Sequence, residues 1–365
     1  MKIMTVFGTR PEAIKMCPVV LELQQHSEID TVVCLTGQHR EMLNQVMEVF
    51  HIKAEYNLDV MQEGQTLASI SSKVISLLDG VLVKEKPDMV LVHGDTTTSF
   101  VAALAAFYRH IPVGHVEAGL RTYNMQSPFP EEFNRQGVDL LSDLYFAPTD
   151  QAKEQLLREG KDATSVFVTG NTVIDALATT VTDAYKNELL DWVGADRLIL
   201  LTAHRRENLG EPMRHIFRAV KRIVQACDDV KVIYPVHLNP VVQNIAREEL
   251  ADQPRIRLVD PLDVFAFHNF MKRSYLILTD SGGIQEEAPA MGKPVLVLRD
   301  TTERPEGIAA GTLKLVGTEE ESIYREAMDL LNNEMAYDQM SQAKNPYGDG
   351  HASERIVQAI IDYLE

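Results

Sequence analysis

Short apolar runs alternate with longer segments of helical periodicity along the whole chain. The runs are apolar at consecutive positions, which is typical of parallel strands that helices cover on both faces. A first series of predicted strands comprises Ile3–Phe7, Thr31–Leu35, Met89–His93, Val113–Val116, Leu144–Ala147 and Val166–Thr169. A second series comprises Leu198–Thr202, Val232–Val236, Ile256–Val259, Leu276–Thr279, Val295–Leu298 and Leu313–Val316.

The segments between these runs predict helices. Residues 67–81 repeat their apolar side chains at helical spacing, and Pro11 stands where proline commonly begins a helix. The alternation of strands and helices predicts an α/β fold with two Rossmann-like doubly wound domains. We place these domains at residues 1–170 and 171–351, and we expect the closing helix, 352–365, to pack back on the first. A cleft between the two domains is the expected ligand site.

The composition narrows the classes of function. The chain has 365 residues and a formal net charge of −18, which argues against a broad nucleic-acid interface and against attachment to anionic membranes. A phosphate ligand would therefore need a local cluster of Arg, Lys and backbone N–H groups. No apolar run reaches transmembrane length and the N-terminus lacks a signal-peptide pattern, so we expect a cytoplasmic protein. Cys17, Cys34 and Cys227 fit no metal-binding spacing, which predicts buried thiols and no metal site.

Polar clusters follow the predicted strands, and in open parallel sheets this carboxyl edge is where ligands bind. In the first cluster, Gly8 follows a strand, and Arg10 and Lys15 lie near the first turn of the next helix. A helix N-terminus with two cations favours an anion, although an ordinary turn with solvated charges fits equally well. In a later cluster, Arg299 and Arg304 suit a phosphate or a sugar, whereas a surface ion-pair loop is the alternative.

The turn at 279–283 is the clearest candidate for a phosphate site. Gly282 and Gly283 let backbone N–H groups approach a ligand closely, and Ser281 adds a hydroxyl. Glu287 lies about one turn into the following helix, where its carboxylate could take ribose hydroxyls. The turn matches neither the Walker A nor the GxGxxG pattern, so a Gly-rich turn without a ligand is the alternative.

Three carboxylates are candidates for proton transfer. Asp95 follows a strand beside Gly94, although an N-cap role is the common alternative. Glu117 also follows a strand, in apolar company, and we expect partial burial to raise its pKa towards the range of a general acid. Glu131 opens a helix, and a first-turn helix acid is its alternative.

His204 begins the polar run HRREN directly after a predicted strand. It is a candidate general acid or diphosphate ligand. The run does not match the HExxH pattern of zinc sites, which again argues against a metal. A structural role is usual for an isolated histidine, but five polar residues in succession are unusual for packing and favour a functional one.

Eight stretches, taken in order, resemble the non-hydrolysing UDP-N-acetylglucosamine 2-epimerases of bacteria. They are FGTRPEAIKM, HGDTTTS, HVEAGLRT, PFPEEFNRQ, GNTVIDAL, TAHRREN, LTDSGGIQEEAP and GKPVLVLRDTTERPEG. They span residues 7 to 307, and eight motifs in order are far more specific than any one of them. The resemblance implies a glycosyltransferase-B-like fold, a homodimer, and catalysis without a metal or a nicotinamide cofactor.

The resemblance also implies a reaction. Such enzymes interconvert UDP-GlcNAc and UDP-ManNAc by eliminating UDP with loss of the C2 proton, which leaves enzyme-bound 2-acetamidoglucal. UDP then re-adds and C2 is reprotonated on the opposite face, and the product supplies ManNAc for cell-surface polysaccharide. The alternatives are a hydrolysing relative that releases UDP and ManNAc, a glycosyltransferase of the same fold, and a non-enzymatic nucleotide-sugar sensor. A sensor has little use for three carboxylates near an anion.

The resemblance carries roles over residue by residue. The positions that would hold the diphosphate are Arg10, Lys15, His204, Ser281, Gly282, Gly283 and Arg304. Glu287 would bind ribose, and Phe267 would lie beside uracil. Asp95, Glu117 and Glu131 would transfer protons, while His204 would also assist the departure of UDP.

Many bacterial members also bind an activating UDP-GlcNAc next to the catalytic site. The positions that match this second site are Gln38, His39, Gln65, Arg205 and His237. Two positions depart from the expected pattern, since Glu41 stands where Gln is usual and Gly64 where Arg is usual. Losing a cation and gaining a carboxylate should weaken the binding of a second anion, which weighs against activation.

Overall fold

The chain forms two compact α/β units. The structure, a computed structural model, describes residues 1–37, 40–61 and 64–365, apart from the side chains at 40–42. Unit 1 comprises Met1–Thr179 and Tyr347–Glu365, and unit 2 comprises Thr180–Pro346. In chain order, unit 2 is therefore an insertion in unit 1.

Unit 1 contains a seven-stranded parallel sheet within its described residues. Its strands are β1 (Lys2–Phe7), β2 (Asp30–Leu35), β3 (Tyr56–Asn57), β4 (Met89–His93), β5 (Val113–Val116), β6 (Leu144–Ala147) and β7 (Val166–Val168). They lie in the order β3-β2-β1-β4-β5-β6-β7. The direction of winding reverses between β1 and β4, and the carboxyl edge at such a switch point is where open α/β sheets bind ligands.

Helices of unit 1 connect these strands. They are α1 (Arg10–Gln25), α2 (Arg40–Val49), α3 (Leu67–Glu85), α4 (Thr97–Tyr108), α5 (Glu131–Leu141), α6 (Asp150–Arg158) and α7 (Thr172–Thr180). Every residue of β4 is buried, so both faces of the sheet are covered at its centre. This explains why the central strands have continuous apolar runs rather than alternating ones.

Unit 2 repeats the architecture with a six-stranded parallel sheet in the order β10-β9-β8-β11-β12-β13. Its strands are β8 (Arg197–Thr202), β9 (Val230–Pro235), β10 (Ile256–Val259), β11 (Leu276–Thr279), β12 (Val295–Val297) and β13 (Leu313–Leu315). Its helices are α8 (Glu188–Val193), α9 (Glu211–Ala226), α10 (Pro240–Leu250), α11 (Val264–Arg273), α12 (Ile284–Ala290), α13 (Pro305–Ala310), α14 (Glu320–Asn332) and α15 (Glu334–Ser341). Here the winding reverses between β8 and β11, and the Gly-rich turn follows β11.

The last helix, α16 (Ala352–Leu364), belongs to unit 1 and packs against α1. The carboxylate of Asp175 in α7 accepts hydrogen bonds from the N–H groups of Ala352 at 3.3 Å and Ser353 at 2.7 Å, at the start of α16. These N–H groups lack partners within the helix, so Asp175 satisfies them. The same contact explains why α7 stays with unit 1, whereas the sequence predicted the boundary after residue 170.

The predicted fold class is confirmed, because both sheets are parallel, doubly wound and Rossmann-like. All twelve predicted strands are present, with ends that differ by at most two residues. Strand β3 was not predicted, since two residues give no periodic signal. Within the described residues, no helix combines the length and apolar character that spanning a membrane requires.

Candidate active site

The polar residues of unit 1 gather where β1, β4 and β5 end side by side. The buried carboxylate of Glu12 joins two of these ends. It accepts hydrogen bonds at 2.7 and 3.0 Å from the N–H groups of the two residues that precede α1. It also accepts from the hydroxyls of Thr96 at 2.6 Å and Ser99 at 3.0 Å, beyond β4. Glu12 therefore fixes the helix that carries Lys15 against the turn that carries Asp95.

Glu117 occupies a strained turn directly after β5. Its φ of 67° lies in the left-handed region, which costs a residue with a Cβ about 1–2 kcal/mol. Its carboxylate forms an ion pair with Lys15 of α1 and accepts a hydrogen bond from Asn171 Nδ2 at 3.1 Å. His93 Nε2 lies 3.6 Å away, beyond hydrogen-bond distance. The turn after β5 thus places the Glu117 carboxylate next to Lys15, which lies on the helix that follows β1.

The charge state of Glu117 differs from the sequence prediction. Burial alone would raise the pKa of Glu117, but the Lys15 ammonium and the imidazole of His93 beside it hold that pKa well below its usual range. The predicted shift towards a general acid is therefore wrong for this structure. The physical reason is the ion pair with Lys15, which is 102 residues away in the chain. Glu117 is ionised here and available as a proton acceptor.

Asp95 lies in the turn after β4, directly after Gly94. Gly94 adopts a φ of 63°, and a Cβ at this position would lie 3.8 Å from Glu117 Oε1. The Asp95 carboxylate forms an ion pair with Arg135 of α5, and Asn134 Nδ2 donates to the Asp95 carbonyl at 3.0 Å. The N-cap of α4 is Thr96 rather than Asp95. The N-cap alternative for Asp95 is therefore wrong, and its carboxylate is paired with Arg135 instead.

Glu131 is the first residue of α5, as its structural alternative requires. Its neighbour Glu132 is fully buried and accepts hydrogen bonds from the N–H groups of Thr122 at 3.0 Å and Tyr123 at 2.9 Å. Among the described residues, the ion pairs of Glu117 and Asp95 are formed with Lys15 and Arg135 and do not involve Glu131. Glu132 therefore holds the loop that precedes α5, and the Glu131 carboxylate takes no part in those hydrogen bonds.

The polar residues of unit 2 are organised around Asp280, which is fully buried after β11. Its Oδ2 accepts hydrogen bonds from the N–H groups of His204 at 2.8 Å and Arg205 at 2.9 Å, and from Asn208 Nδ2 at 3.1 Å. Its Oδ1 lies 3.2 Å from His204 Nδ1. Burial alone would raise the pKa of Asp280, but His204 and the backbone N–H groups lower it. Asp280 therefore holds the turn after β8 against the Gly-rich turn.

Two guanidinium groups lie beside the Gly-rich turn. A Cβ added at Gly282 would lie 3.7 Å from a guanidinium nitrogen of Arg205 and 3.9 Å from one of Arg304. Arg304 is itself oriented by an ion pair with the buried Glu286. Because α12 has only seven residues, the positive charge at this turn comes mainly from these arginines rather than from a long helix. The arrangement suits an anion.

Arg299, the other arginine of the later cluster, forms ion pairs as the surface ion-pair alternative expects, but its side chain is buried rather than on the surface. It donates to Glu303 at 2.7 and 3.0 Å and lies 3.4 Å from Glu207. Hydrogen bonding from Arg299 lowers the pKa of Glu303 to about 2. The two arginines of this cluster therefore have different partners. Arg299 is paired with Glu303 of the same loop, whereas Arg304 lies beside Gly282 of the Gly-rich turn.

The predicted ribose and uracil residues lie on neighbouring elements of unit 2. Glu287 in α12 lies 3.2 Å from Nε2 of the buried His268, whose Nδ1 is 2.6 Å from Thr180 Oγ1. This chain of contacts orients the Glu287 carboxylate. Phe267, one residue before His268 in α11, is partly buried against the core of unit 2. Ser281 begins the Gly-rich turn, with its N–H bonded to Thr279 Oγ1 at 2.9 Å.

The residues that match a second site are only partly described. Gln38, His39 and the side chain of Glu41 lie outside the described part of the chain. His237 stacks on His204 with ring centroids 5.5 Å apart, and Arg205 contacts the Gly-rich turn, so both belong with the unit 2 cluster. Gln65 is half-buried next to the exposed Gly64, which has a φ of 70°. Elsewhere in the described chain, no cluster of His, Cys, Asp and Glu could hold a metal ion.

Comparisons with known proteins agree on one family. The family model of UDP-N-acetylglucosamine 2-epimerase matches residues 21–361. The UDP-N-acetylglucosamine 2-epimerase of Bacillus subtilis is 62% identical over 361 residues, which cover 99% of this chain and 95% of the relative. The chain belongs to the UDP-N-acetylglucosamine 2-epimerase family.

Solved structures support the same assignment. The S. aureus MnaA–UDP co-structure has a TM-score of 0.89 at 57% identity and covers 100% of this chain and 96% of its own. The Neisseria meningitidis UDP-GlcNAc 2-epimerase bound to UDP-GlcNAc has a TM-score of 0.88 at 49% identity and covers 99% of this chain and 100% of its own. The predicted glycosyltransferase-B-like fold class and the resemblance drawn from the eight motifs are thereby confirmed.

In this epimerase-family chain, sequence reasoning missed the residues that hold the candidate groups in place. They are Glu12, His93, Arg135, Asn171, His268, Asp280 and Glu286. Their partners come mostly from other strand ends, and periodicity within one segment cannot show such contacts. Asp280 did carry a signal, because an acid that directly follows an apolar strand is buried unless the chain turns outward at once.

Replacing Asp280 by Asn should destabilise the fold of this family member. An amide offers one acceptor oxygen and no charge to three donors, so we expect the free energy of unfolding at neutral pH to fall by about 2 kcal/mol. The folded-state pKa of Asp280 is lowered, so its stabilising contribution is present above the unfolded-state pKa. That contribution is lost as the pH falls through the folded-state value. Urea unfolding followed by circular dichroism, at neutral pH and in strong acid, measures both effects.

Asp300→Asn is the matched control, because Asp300 is exposed in the loop after the neighbouring strand. We expect this variant to unfold like the wild type at both pH values. A loss in Asp300→Asn equal to that in Asp280→Asn would argue against the role given to the buried carboxylate. A difference in the free energy of unfolding between wild type and Asp280→Asn that grows in acid would also argue against that role.

Proposed function

We propose that this protein interconverts UDP-GlcNAc and UDP-ManNAc by inverting the configuration at C2, without hydrolysis. The observation that carries the proposal is the pair of carboxylates, Asp95 and Glu117, at the ends of the adjacent strands β4 and β5. Inversion at C2 requires a proton to leave one face of the sugar and another to arrive at the opposite face, which calls for more than one acid–base group. Full-length similarity to a UDP-N-acetylglucosamine 2-epimerase supports the substrate class.

The chemistry explains why a diphosphate site is also needed. The C2 proton has no adjacent carbonyl group, so direct enolisation is not available. A base therefore removes the C2 proton while the C1–O bond to the diphosphate breaks, which yields 2-acetamidoglucal and UDP. The reverse addition of UDP, with protonation of C2 on the opposite face, completes the cycle. The product would then serve as a ManNAc donor for cell-surface polysaccharide.

We assign the three carboxylates Asp95, Glu117 and Glu131 to proton transfer. Glu117 begins the cycle ionised because Lys15 is paired with it. Lys15 is also assigned to the diphosphate. Any turn of its ammonium towards the departing phosphate would weaken the pairing, raise the pKa of Glu117 and make it a stronger base.

We assign the binding of UDP chiefly to the unit 2 cluster. Arg304, Ser281, Gly282 and Gly283 hold the diphosphate, together with Arg10, Lys15 and His204. Glu287 takes ribose and Phe267 lies beside uracil. Cations and backbone N–H groups already in place stabilise the negative charge that develops on the leaving group, and such preorganised donors are worth several kcal/mol in a transition state. No metal or other cofactor enters this scheme.

Incubating the protein with UDP-GlcNAc in heavy water tests the reaction. We expect UDP-ManNAc with deuterium at C2, since the proton added after elimination comes from solvent. Proton and carbon NMR of the products measure this outcome. UDP with free ManNAc as the main product would instead identify a hydrolase, and binding without turnover would identify a sensor or a transferase that needs an acceptor.

The carboxylate variants Asp95→Asn and Glu117→Gln test the site. Each removes an acid–base group and keeps nearly the same size, so we expect turnover to fall about 100-fold or more while UDP binding persists. Initial rates and calorimetric titration with UDP measure the two properties. The control is Asp79→Asn, which alters an exposed ion pair with Arg109. Wild-type turnover in both site variants would rule out the assignment.

We also propose a homodimer formed through α4 and α5 of unit 1. Phe107 and Tyr108 in α4 and Phe133 and Leu140 in α5 are all more than half exposed, Leu140 at 78%. Phe133 packs edge-on to Phe100 of α4, so the two helices share one surface. Exposed apolar patches of this kind are typical of subunit interfaces.

Replacing Leu140 by Glu should convert the dimer to a monomer, because a buried unpaired carboxylate at the interface is costly. Size-exclusion chromatography with light scattering measures the mass. Met335→Glu is the control, since Met335 is 80% exposed on α15 of unit 2. A monomeric wild type, or a Leu140→Glu variant that stays dimeric, would refute this interface.

A further inference from the structure

His115 is a fully buried histidine in β5 that no step of the proposed reaction uses. Both of its ring nitrogens have oxygen partners. Nε2 lies 2.8 Å from the carbonyl oxygen of Gly94, and Nδ1 lies 2.6 Å from Oδ1 of Asp139 in α5. A carbonyl oxygen can only accept a hydrogen bond, so Nε2 must carry a proton.

The second proton follows from the state of Asp139. Its Oδ2 lies 2.7 Å from the buried guanidinium of Arg121 and accepts from the N–H of Gly119 at 3.3 Å. These donors favour the carboxylate over the acid. An ionised Asp139 can only accept from Nδ1, so that nitrogen carries a proton as well.

Neither neutral form of the imidazole satisfies both partners. A ring protonated only at Nε2 would turn the lone pair of Nδ1 towards the Asp139 carboxylate. A ring protonated only at Nδ1 would turn the lone pair of Nε2 towards the Gly94 carbonyl. Either arrangement leaves a buried acceptor facing a lone pair at hydrogen-bond distance, which is strongly unfavourable in a protein interior.

Two carboxylates lie in the cluster around His115. Asp139 faces the imidazole directly and shares Arg121 with Glu159, whose carboxylate is 2.7 Å from the same guanidinium. Lys161 donates to the backbone carbonyl of Asp139 at 2.5 Å. Burial lowers the pKa of Lys161. A buried imidazolium is thus accompanied by its own carboxylate, which such a charge requires.

We propose that His115 is a doubly protonated positioning residue that fixes the turn bearing Asp95 relative to Glu117. The turn is attached to β5 at both ends of Gly94, because its N–H donates to the Val116 carbonyl at 2.9 Å and its carbonyl accepts from His115. A charged donor makes the second of these bonds stronger than a neutral one would. The catalytic significance of the arrangement depends on the proposed function, but the protonation state does not.

The same imidazolium connects α5 to the site. Asp139, its counter-ion, lies on the helix whose first turns supply Asn134 and Arg135 to Asp95. Helix α5 therefore contacts both the backbone and the carboxylate of Asp95, and His115 fixes the position of α5 through Asp139. Loss of the charge would loosen the turn and the helix together, and a displacement of about 1 Å in such a site costs on the order of 100-fold in rate.

Nitrogen-15 NMR of the histidine-labelled protein tests the protonation state without any substitution. In the folded protein, we expect a ring among the 11 histidines to carry protons at both nitrogens, because both nitrogens of His115 face acceptor oxygens. Its signals should be absent from a His115→Gln variant. The absence of any such ring, or its persistence in His115→Gln, would overturn the proposal.

Kinetics of His115→Gln test the positioning role. Gln keeps a neutral donor and loses the charge, so we expect kcat to fall about 100-fold while the Kd of UDP stays within about twofold, since UDP is held by other residues. His215→Gln, a half-exposed site on α9, is the matched control and should keep wild-type kinetics. Wild-type kcat in a folded His115→Gln variant would overturn the role. A parallel loss of kcat, UDP affinity and thermal stability would overturn it too, because that pattern indicates structure alone.

The two proposals fail in different ways. If wild-type protein does not exchange the C2 proton, the proposed function fails, while the NMR result for His115 still stands or falls by itself. If wild-type protein exchanges the proton and no histidine stays doubly protonated, the reaction is retained and only the role of His115 is lost.

Discussion

A carboxylate buried at a strand end is costly unless several donors surround it, and both units are built around such groups. In unit 1, Glu12 collects two backbone N–H groups and two hydroxyls from the ends of β1 and β4. In unit 2, Asp280 collects two N–H groups and a side-chain amide from the turn after β8. Each carboxylate thus joins the turns at the point where its sheet reverses, and these turns carry the candidate site residues.

The sequence predicts the fold well because parallel sheets leave a strong local signal. Strands such as Met89–His93 are apolar at every position and so can be recognised from a few residues. The location of the candidate residues follows from the same logic, since polar clusters after strands must meet at one edge. Charge states that depend on contacts with distant parts of the chain could not be predicted from the local sequence. The pKa of Glu117 was predicted in the wrong direction because burial is visible in the local sequence, whereas Lys15 reaches it from another strand end.

The two units differ in the charged groups at their strand ends. Carboxylates paired with cations dominate the strand ends of unit 1, as in Glu117 with Lys15 and Asp95 with Arg135. Guanidinium groups beside a glycine-rich turn dominate unit 2.

The chain order of the two units has a consequence for biosynthesis. Unit 2 lies wholly between Thr179 and Tyr347, and α16, which packs against α1, follows it. A ribosome therefore delivers all of unit 2 before the last helix of unit 1 emerges. Until then, the Asp175 carboxylate lacks the N–H groups of Ala352 and Ser353 that it binds in the folded protein. The unit that is begun first is thus completed last, and a nascent chain that stops early can contain a whole unit 2 but never a whole unit 1.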